Sequence, residues 1–367
     1  MTGRHVQESI SDLEKRLSIG QIDREGTLDL AAAYRLNGRI RDAAEMLQRR
    51  LEESEPDWEV CRACVECYRE AGMMEEAVAT LNRWAGRFRD RAEFWMLRGL
   101  MLELMDEWDA ALREHDLACN IAPHMAEAHY RRGIVLMQLA RYDEAREDFL
   151  TALRLRPNLV RAQMNLGLIH EAQGNVREAI AAFEAALRLD PQSADAHLNV
   201  GALYGEMGET QLALEHCERA LEIDPGSSEA AYNAGLALAE RDPDQAVRFL
   251  RRAVASNPGN LDAYHRLGVI AQSRGRWEVA AGFFEKVIEH DPTRLDSLFG
   301  LAICYGKSDR AEEAVRAFRS LLENDPANDK AWFYLGVAYD KLGDSESARM
   351  AYRRADEAGA GGGQGGS

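Results

Sequence analysis

The strongest constraint on this chain is a repeat of 34 residues. Glycines recur at Gly99, Gly133, Gly167, Gly201, Gly235, Gly268 and Gly336, with one step of 33 and with Ala302 in the one missing place. A second ladder runs Ala43, Ala77, Ala111, Ala145, Ala179, Ala213, Ala246, Ala280, Ala314, Ala348. A third runs Pro123, Pro157, Pro191, Pro225, Pro258, Pro292, Pro326 and takes seven of the nine prolines, so proline here serves the repeat rather than scattered loops. A unit of this length is one supersecondary element that cannot bury its apolar face alone, so successive copies must stack into one array. The chain length would otherwise suggest two or three domains.

Each ladder has a physical reading. Small residues at repeat positions eight and twenty let two helices approach closely, and a larger side chain there would overpack the contact. The large residue at position 24 (Phe149, Phe183, Leu250, Phe284, Phe318, Tyr352) fills the space between repeats. The proline at position 32 cannot continue a helix and moves its predecessor out of the α region, so it ends the second helix. Between these marks the apolar spacing is helical. Polar turns such as Gln173-Gly174-Asn175 join the two helices of a unit. One turn, Arg241-Asp242-Pro243-Asp244, is a residue shorter. There Asp242 is placed to cap the second helix and Pro243 suits its first position.

These residues resemble the tetratricopeptide repeat family, whose pattern Trp332, Leu335, Gly336, Tyr339, Ala348, Tyr352 and Ala355 match in the last repeat. Gln163 departs from it at position four, and His115 and Cys217 at position 24. The resemblance implies an all-α fold: an α-α superhelix, or solenoid, of about ten helical hairpins. Residues 24–91 form two diverged units that lack the glycine, and 92–358 form eight further units. In residues 1–23, Val6, Ile10, Leu13 and Leu17 share one helical face, as expected of a helix capping the first repeat. Residues 359–367 are Gly-rich and read as a flexible tail.

Charge narrows the partners. The formal net charge is -17, and an acidic surface repels phosphate backbones, so nucleic acid is not the expected partner. The first twenty residues carry no continuous apolar core of a secretory signal. The longest apolar stretch, Phe94–Met105, is interrupted by Arg98 and Glu103 and is too short for a membrane span. Six scattered cysteines without a disulfide framework point to the cytoplasm.

The resemblance further implies that the first helix of each unit lines a concave groove. Position six there reads Arg131, Asn165, Asn199, Asn233, Arg266. An amide both donates and accepts, so three consecutive Asn could clamp the backbone of a guest peptide. The row is similar to the Asn ladder in the superhelical repeat domain of O-GlcNAc transferase. Asn is also the family's usual residue at this position, so inherited consensus is the competing reading. Position five reads Tyr130, Met164, Leu198, Tyr232, His265, Phe299, a largely apolar stripe that suits either an adaptable binding surface or burial between helices. Position two is mostly acidic (Glu93, Glu127, Asp195, Glu229, Asp262, Asp296), which suits a basic and apolar partner segment or simply the helix dipole.

No catalytic constellation is expected. Cys61, Cys64 and Cys67 resemble part of an iron–sulfur run, but the fourth Cys and its proline are missing, so neither metal nor cofactor is assigned. His129 and His197 occupy core position four and read as packed rather than ligating. There is no phosphate loop and no nucleophile elbow. The expected function is therefore a non-enzymatic interaction scaffold or adaptor holding a partner polypeptide. The rival readings are a self-assembling structural protein, a homo-oligomer growing through its last repeat, and an accessory subunit of an enzyme such as a glycosyltransferase.

Overall fold

The computed structural model describes the chain from residue 3 to residue 362, with side chains from 10 to 359. Twenty-one helices, α1–α21, follow one another, and the described residues contain no strand. Helix α1 (Gly3–Ser18) precedes α2 (Arg24–Leu36), α3 (Ile40–Glu53), α4 (Trp58–Glu70) and α5 (Met74–Phe88). Next come α6 (Ala92–Glu103), α7 (Trp108–Ile121), α8 (Ala126–Gln138), α9 (Tyr142–Leu155), α10 (Val160–Ala172) and α11 (Val176–Leu189). Then follow α12 (Ala194–Glu206), α13 (Thr210–Ile223), α14 (Ser228–Leu238), α15 (Pro243–Ser256), α16 (Leu261–Ser273) and α17 (Trp277–His290). The last four are α18 (Leu295–Lys307), α19 (Ala311–Asn324), α20 (Asp329–Lys341) and α21 (Ser345–Gly362). Two compact units divide the chain, Met1–Ala182 and Phe183–Ser367.

Within each unit, neighbouring helices in the sequence pack as antiparallel pairs, and several first helices also touch the first helix of the next pair, as α12 touches α14 and α16 touches α18. The position-eight glycines explain the closeness of each pair. A Cβ built on Gly133 would lie 2.8 Å from Cε1 of Phe149, and one on Gly268 would lie 2.7 Å from Cε1 of Phe284. So position eight is small because position 24 of the same hairpin lies on it. The departures at position 24 obey the same rule: His115 presses on Gly99 and Cys217 on Gly201. The position-twenty alanines Ala43, Ala145, Ala213, Ala280 and Ala314 are fully buried.

The turns carry a signal that the ladders do not. Position fifteen adopts the left-handed backbone in Gly38, Gly72, Gly174, Gly208, Gly275 and Gly343, and also in the non-glycines Asp106, Ala140 and Asp309. The hairpin α14–α15 is the exception, because the residue deleted there is the left-handed one. Its Asp242 instead accepts a hydrogen bond from the Gln245 N–H at 3.0 Å, with Pro243 in the first turn of α15. Helix α14 is correspondingly short, 11 residues against 13 in α12 and α16. Several first helices are capped by the last residue of the preceding repeat, whereas α6, α8, α10 and α18 have no side-chain cap there. Ser227 accepts from Ala230 N–H, Asn260 from Ala263 and Asn328 from Ala331.

At the start of the first unit, Ile10 is buried, and Leu13 and Leu17 pack on the same core. The Tyr34 hydroxyl donates to Glu14 at 2.6 Å, tying α1 to α2. The Val6 side chain lies outside the described residues. At the other end α21 runs on to Gly362, so residues 359–362, expected in a tail, are helical; 363–367 lie outside the described residues.

Candidate interaction groove

In the first unit, the position-six side chains of α8 and α10 and their neighbours are spent on one another. Arg131 lies 3.4 Å from Glu127 and 3.9 Å from Glu103. Glu103 in turn contacts Nε2 of the fully buried His115 at 2.6 Å. Arg161 pairs with Glu127 at 3.3 Å and lies 4.6 Å above the ring of Tyr130. The Tyr130 hydroxyl accepts a hydrogen bond from the Asn165 amide at 3.4 Å. Tyr130 itself is 6% exposed and belongs to a hydrophobic core, and Met164 is half-buried.

In the second unit the same register leaves polar groups free. Among the described residues nothing bonds to the amides of Asn199 and Asn233, and Arg266 has no ion-pair partner. Position five is again mostly packed. Leu198 and Tyr232 lie against one core and Phe299 against another. His265 is half-buried, its Nδ1 2.7 Å from the Ser297 hydroxyl; burial holds its pKa below the usual imidazole value, against the opposing field of Asp296. Two of the acidic position-two residues are also satisfied internally, since Arg294 bridges Asp262 at 2.7 Å and Asp296 at 3.3 Å.

A groove of about 750 Å³ opens between α12, α14 and α16. Its lining includes Asn233 and Arg266 from position six, Ala202, Leu236 and Val269 from position nine, and Glu206, Glu240 and Ser273 from position thirteen. Leu236 and Val269 are exposed apolar side chains on its wall. The shortened turn forms part of the rim through Ala239, Glu240 and Arg241. Of the residues expected from the sequence to bind a partner, the structure therefore places Asn233 and Arg266 in one cavity. Asn199 stands one repeat before Asn233, its side-chain amide without a hydrogen bond among the described residues. Arg131 and Asn165 are engaged within the first unit, while Tyr130, Leu198, Tyr232 and Phe299 face cores.

Other chemistry-bearing residues are occupied with structure. Cys61, Cys64 and Cys67 are buried free thiols. Burial pushes Cys61 up to about 12 and Cys67 to about 11. Such thiols are poor nucleophiles and poor ligands. Among the described residues no three His, Cys, Asp or Glu groups converge on a metal position, and no helix is long and apolar enough to cross a membrane. Burial also lowers the pKa of His197 and of His216, whose Nδ1 atoms face each other at 3.1 Å.

Comparison with known proteins agrees with this architecture. Family profiles described as Tetratricopeptide repeat match residues 27–101 and 206–267, residues 106–160, 130–194, 164–228 and 299–363, and residues 263–296. No curated protein matches the chain significantly. Among solved structures, the chain is similar to YrrB, described as a TPR protein with an unusual peptide-binding site. The identity is 24%, over 50% of this chain and 96% of that one, with a TM-score of 0.45. It is 29% identical to MamA over 45% of this chain and 97% of that one, with a TM-score of 0.42. The APC/C hetero-tetramer Cut9-Hcn1 matches at 16% identity over 82% of this chain and 59% of that chain, with a TM-score of 0.51, a likeness of fold alone.

Proposed function

This chain belongs to the tetratricopeptide repeat family, whose members are protein-interaction scaffolds and generally not catalysts, and from that premise we propose that it holds an extended segment of a partner polypeptide between α12, α14 and α16. The observation that carries the reading is the open cavity lined by the Asn233 amide and the Arg266 guanidinium, neither of which has a partner among the described residues, beside exposed Leu236 and Val269. An amide can accept from a guest backbone N–H and donate to its carbonyl. Leu236 and Val269 supply an apolar wall for one guest side chain, and Glu206 and Glu240 suit a basic neighbour. Arg266 is available to a guest carbonyl or carboxylate.

The test is affinity capture with wild type, Asn199→Ala/Asn233→Ala and Leu236→Asp. Each hydrogen bond lost should cost about 1 kcal/mol, roughly fivefold in affinity. Leu236→Asp should abolish capture, because it sets a charge on the apolar wall. A partner retained equally by all three proteins refutes the groove.

A second reading, self-assembly through the last hairpin, is favoured by one observation. Phe299 is covered by Tyr334 of the next repeat, with ring centroids 5.9 Å apart, whereas Phe333, its counterpart one repeat later, is 50% exposed. Sedimentation across a range of protein concentrations separates the two: a scaffold keeps its mass and an assembler grows.

A further inference from the structure

Hairpin α12–α13 carries a pair of imidazoles that the interaction groove does not use. The residue at repeat position four has a recurrent task. Its ring N–H ties down the loop behind it, as Trp332 Nε1 does to the Pro326 carbonyl at 2.9 Å and Trp95 Nε1 to Arg89 at 2.7 Å. His129 stands in the same place, with Nε2 3.0 Å from the Pro123 carbonyl. His197 is the next histidine in this position, six residues after Pro191 as His129 is after Pro123, and the Pro191 backbone favours its protonated ring. A proton held on Nε2 toward that backbone, as His129 Nε2 faces Pro123, would leave a lone pair on Nδ1.

What Nδ1 meets differs between the two histidines. In α8–α9, His129 Nδ1 meets the carboxylate of Asp148 at 3.1 Å. In α12–α13 the residue at that place is His216, and the two Nδ1 atoms stand 3.1 Å apart. Both Asp148 oxygens are already held by Arg132, whereas a second imidazole offers a second nitrogen lone pair. The rings are tilted by 44°, so the two nitrogens converge without the rings stacking flat.

We propose that His197 and His216 chelate one divalent transition-metal ion of the zinc, nickel or copper class between their Nδ1 atoms. Imidazole is the ligand these ions favour. With metal–nitrogen bonds of about 2.0–2.1 Å, two ligands lie about 2.9 Å apart at a right angle and about 3.4 Å apart at the tetrahedral angle. The observed separation falls between those limits. Hydrogen bonding of the remote ring nitrogen to a carbonyl is the usual arrangement that orients a metal-ligating histidine. A surface cavity of about 510 Å³, lined by both imidazoles together with Gln211, Glu215, Glu218, Arg219 and Glu222, gives an ion and its waters access. No third protein ligand joins them among the described residues, so water completes the coordination and binding is reversible. This cavity shares no lining residue with the groove between α12, α14 and α16, so the site stands or falls independently of the proposed function.

The experiment titrates the full chain, freed of metal by a chelator, with Zn²⁺ and Ni²⁺ in a calorimeter. The variants are His197→Trp, His216→Ala and the double substitution. Tryptophan is the residue at this position in α6 and α20, so His197→Trp keeps the loop contact while removing the ligand. Circular dichroism checks that helix content is retained, and His216→Ala decides the matter should the bulkier variant misfold. The expected result is one ion per wild-type chain, with affinity falling at least tenfold in each single variant and no further in the double. Equal affinity and stoichiometry in wild type and His216→Ala would overturn the proposal and leave the pair as an ordinary N–H···N hydrogen bond.

Discussion

Gly268 and Gly282 lie on the two helices of one hairpin, and replacing each by alanine should have opposite effects. A Cβ on Gly268 would stand 2.7 Å from Cε1, 2.8 Å from Cζ and 2.9 Å from Cδ1 of Phe284. Carbon atoms in ordinary contact are about 3.5–4.0 Å apart, so the ring must move by most of an ångström. It has nowhere to go. Phe284 is fully buried, and Gly300 of the next repeat also lies against the ring, where a Cβ would again come within 2.7 Å. Overpacking of this kind costs about 1–3 kcal/mol, and removing a helical glycine returns about 1 kcal/mol, which leaves a net loss of up to about 2 kcal/mol. Gly282 is exposed, with nothing within 4 Å of its would-be Cβ, so Gly282→Ala should gain about 1 kcal/mol from helix propensity alone. Urea denaturation followed by circular dichroism reads the difference. Hydrogen exchange across 261–290 localises it, because stability in a repeat array is a sum of local terms. Replacing Phe284 by leucine, the residue that already stands opposite Gly235 as Leu250, should relieve Gly268→Ala with a coupling of about 0.5–3 kcal/mol. Should Gly268→Ala prove as stable as Gly282→Ala, the position-8/position-24 account of this fold is wrong.

Three further outcomes are expected. Ala140 holds φ +56° where six other turns carry glycine; left-handed backbone costs an L-residue about 1–2 kcal/mol, partly offset by glycine's greater entropy. Ala140→Gly should therefore raise the denaturation midpoint, and an unchanged midpoint counts against strain there. Asp242→Ala removes the only side-chain cap of α15 and should lower stability by about 1 kcal/mol, as read from the same curves. Burial pushes Cys61 and Cys217 up to about 12 from an ordinary value of 9.0. The folded state thus keeps these thiols neutral where the unfolded chain ionises them. Their contribution is complete below about pH 9 and drains away as pH rises toward the folded values. Rapid alkylation of the native protein at pH 8 would contradict that burial.

The sequence by itself determined the repeating unit, since its marks are contacts made within one repeat. A glycine at position eight implies a large residue folded onto it at position 24, and both belong to one short stretch of chain. The cap at Asp242 was legible for the same reason, because cap and helix are adjacent. The left-handed turn residue was legible too, in the row Gly38, Gly72, Gly174, Gly208, Gly275, Gly343, although the non-glycines at 106, 140 and 309 blur it. What only the tertiary structure decided is which inward-facing groups remain free. Arg131 and Asn233 share a repeat position, yet Glu103 and Glu127 absorb the charge of the first while, among the described residues, nothing hydrogen-bonds to the amide of the second. Position five shows the same limit, since spacing places Tyr130 and Phe299 on a helix face without saying that a neighbouring repeat covers them. The short turn at Asp242 reads as a harmless deletion in the sequence, but in space it shortens α14 and its residues form part of the groove's rim. Local spacing fixes the direction of a side chain relative to its own helix; whether that direction ends in a partner, a core or open solvent depends on residues some thirty positions away, and only packing brings those together.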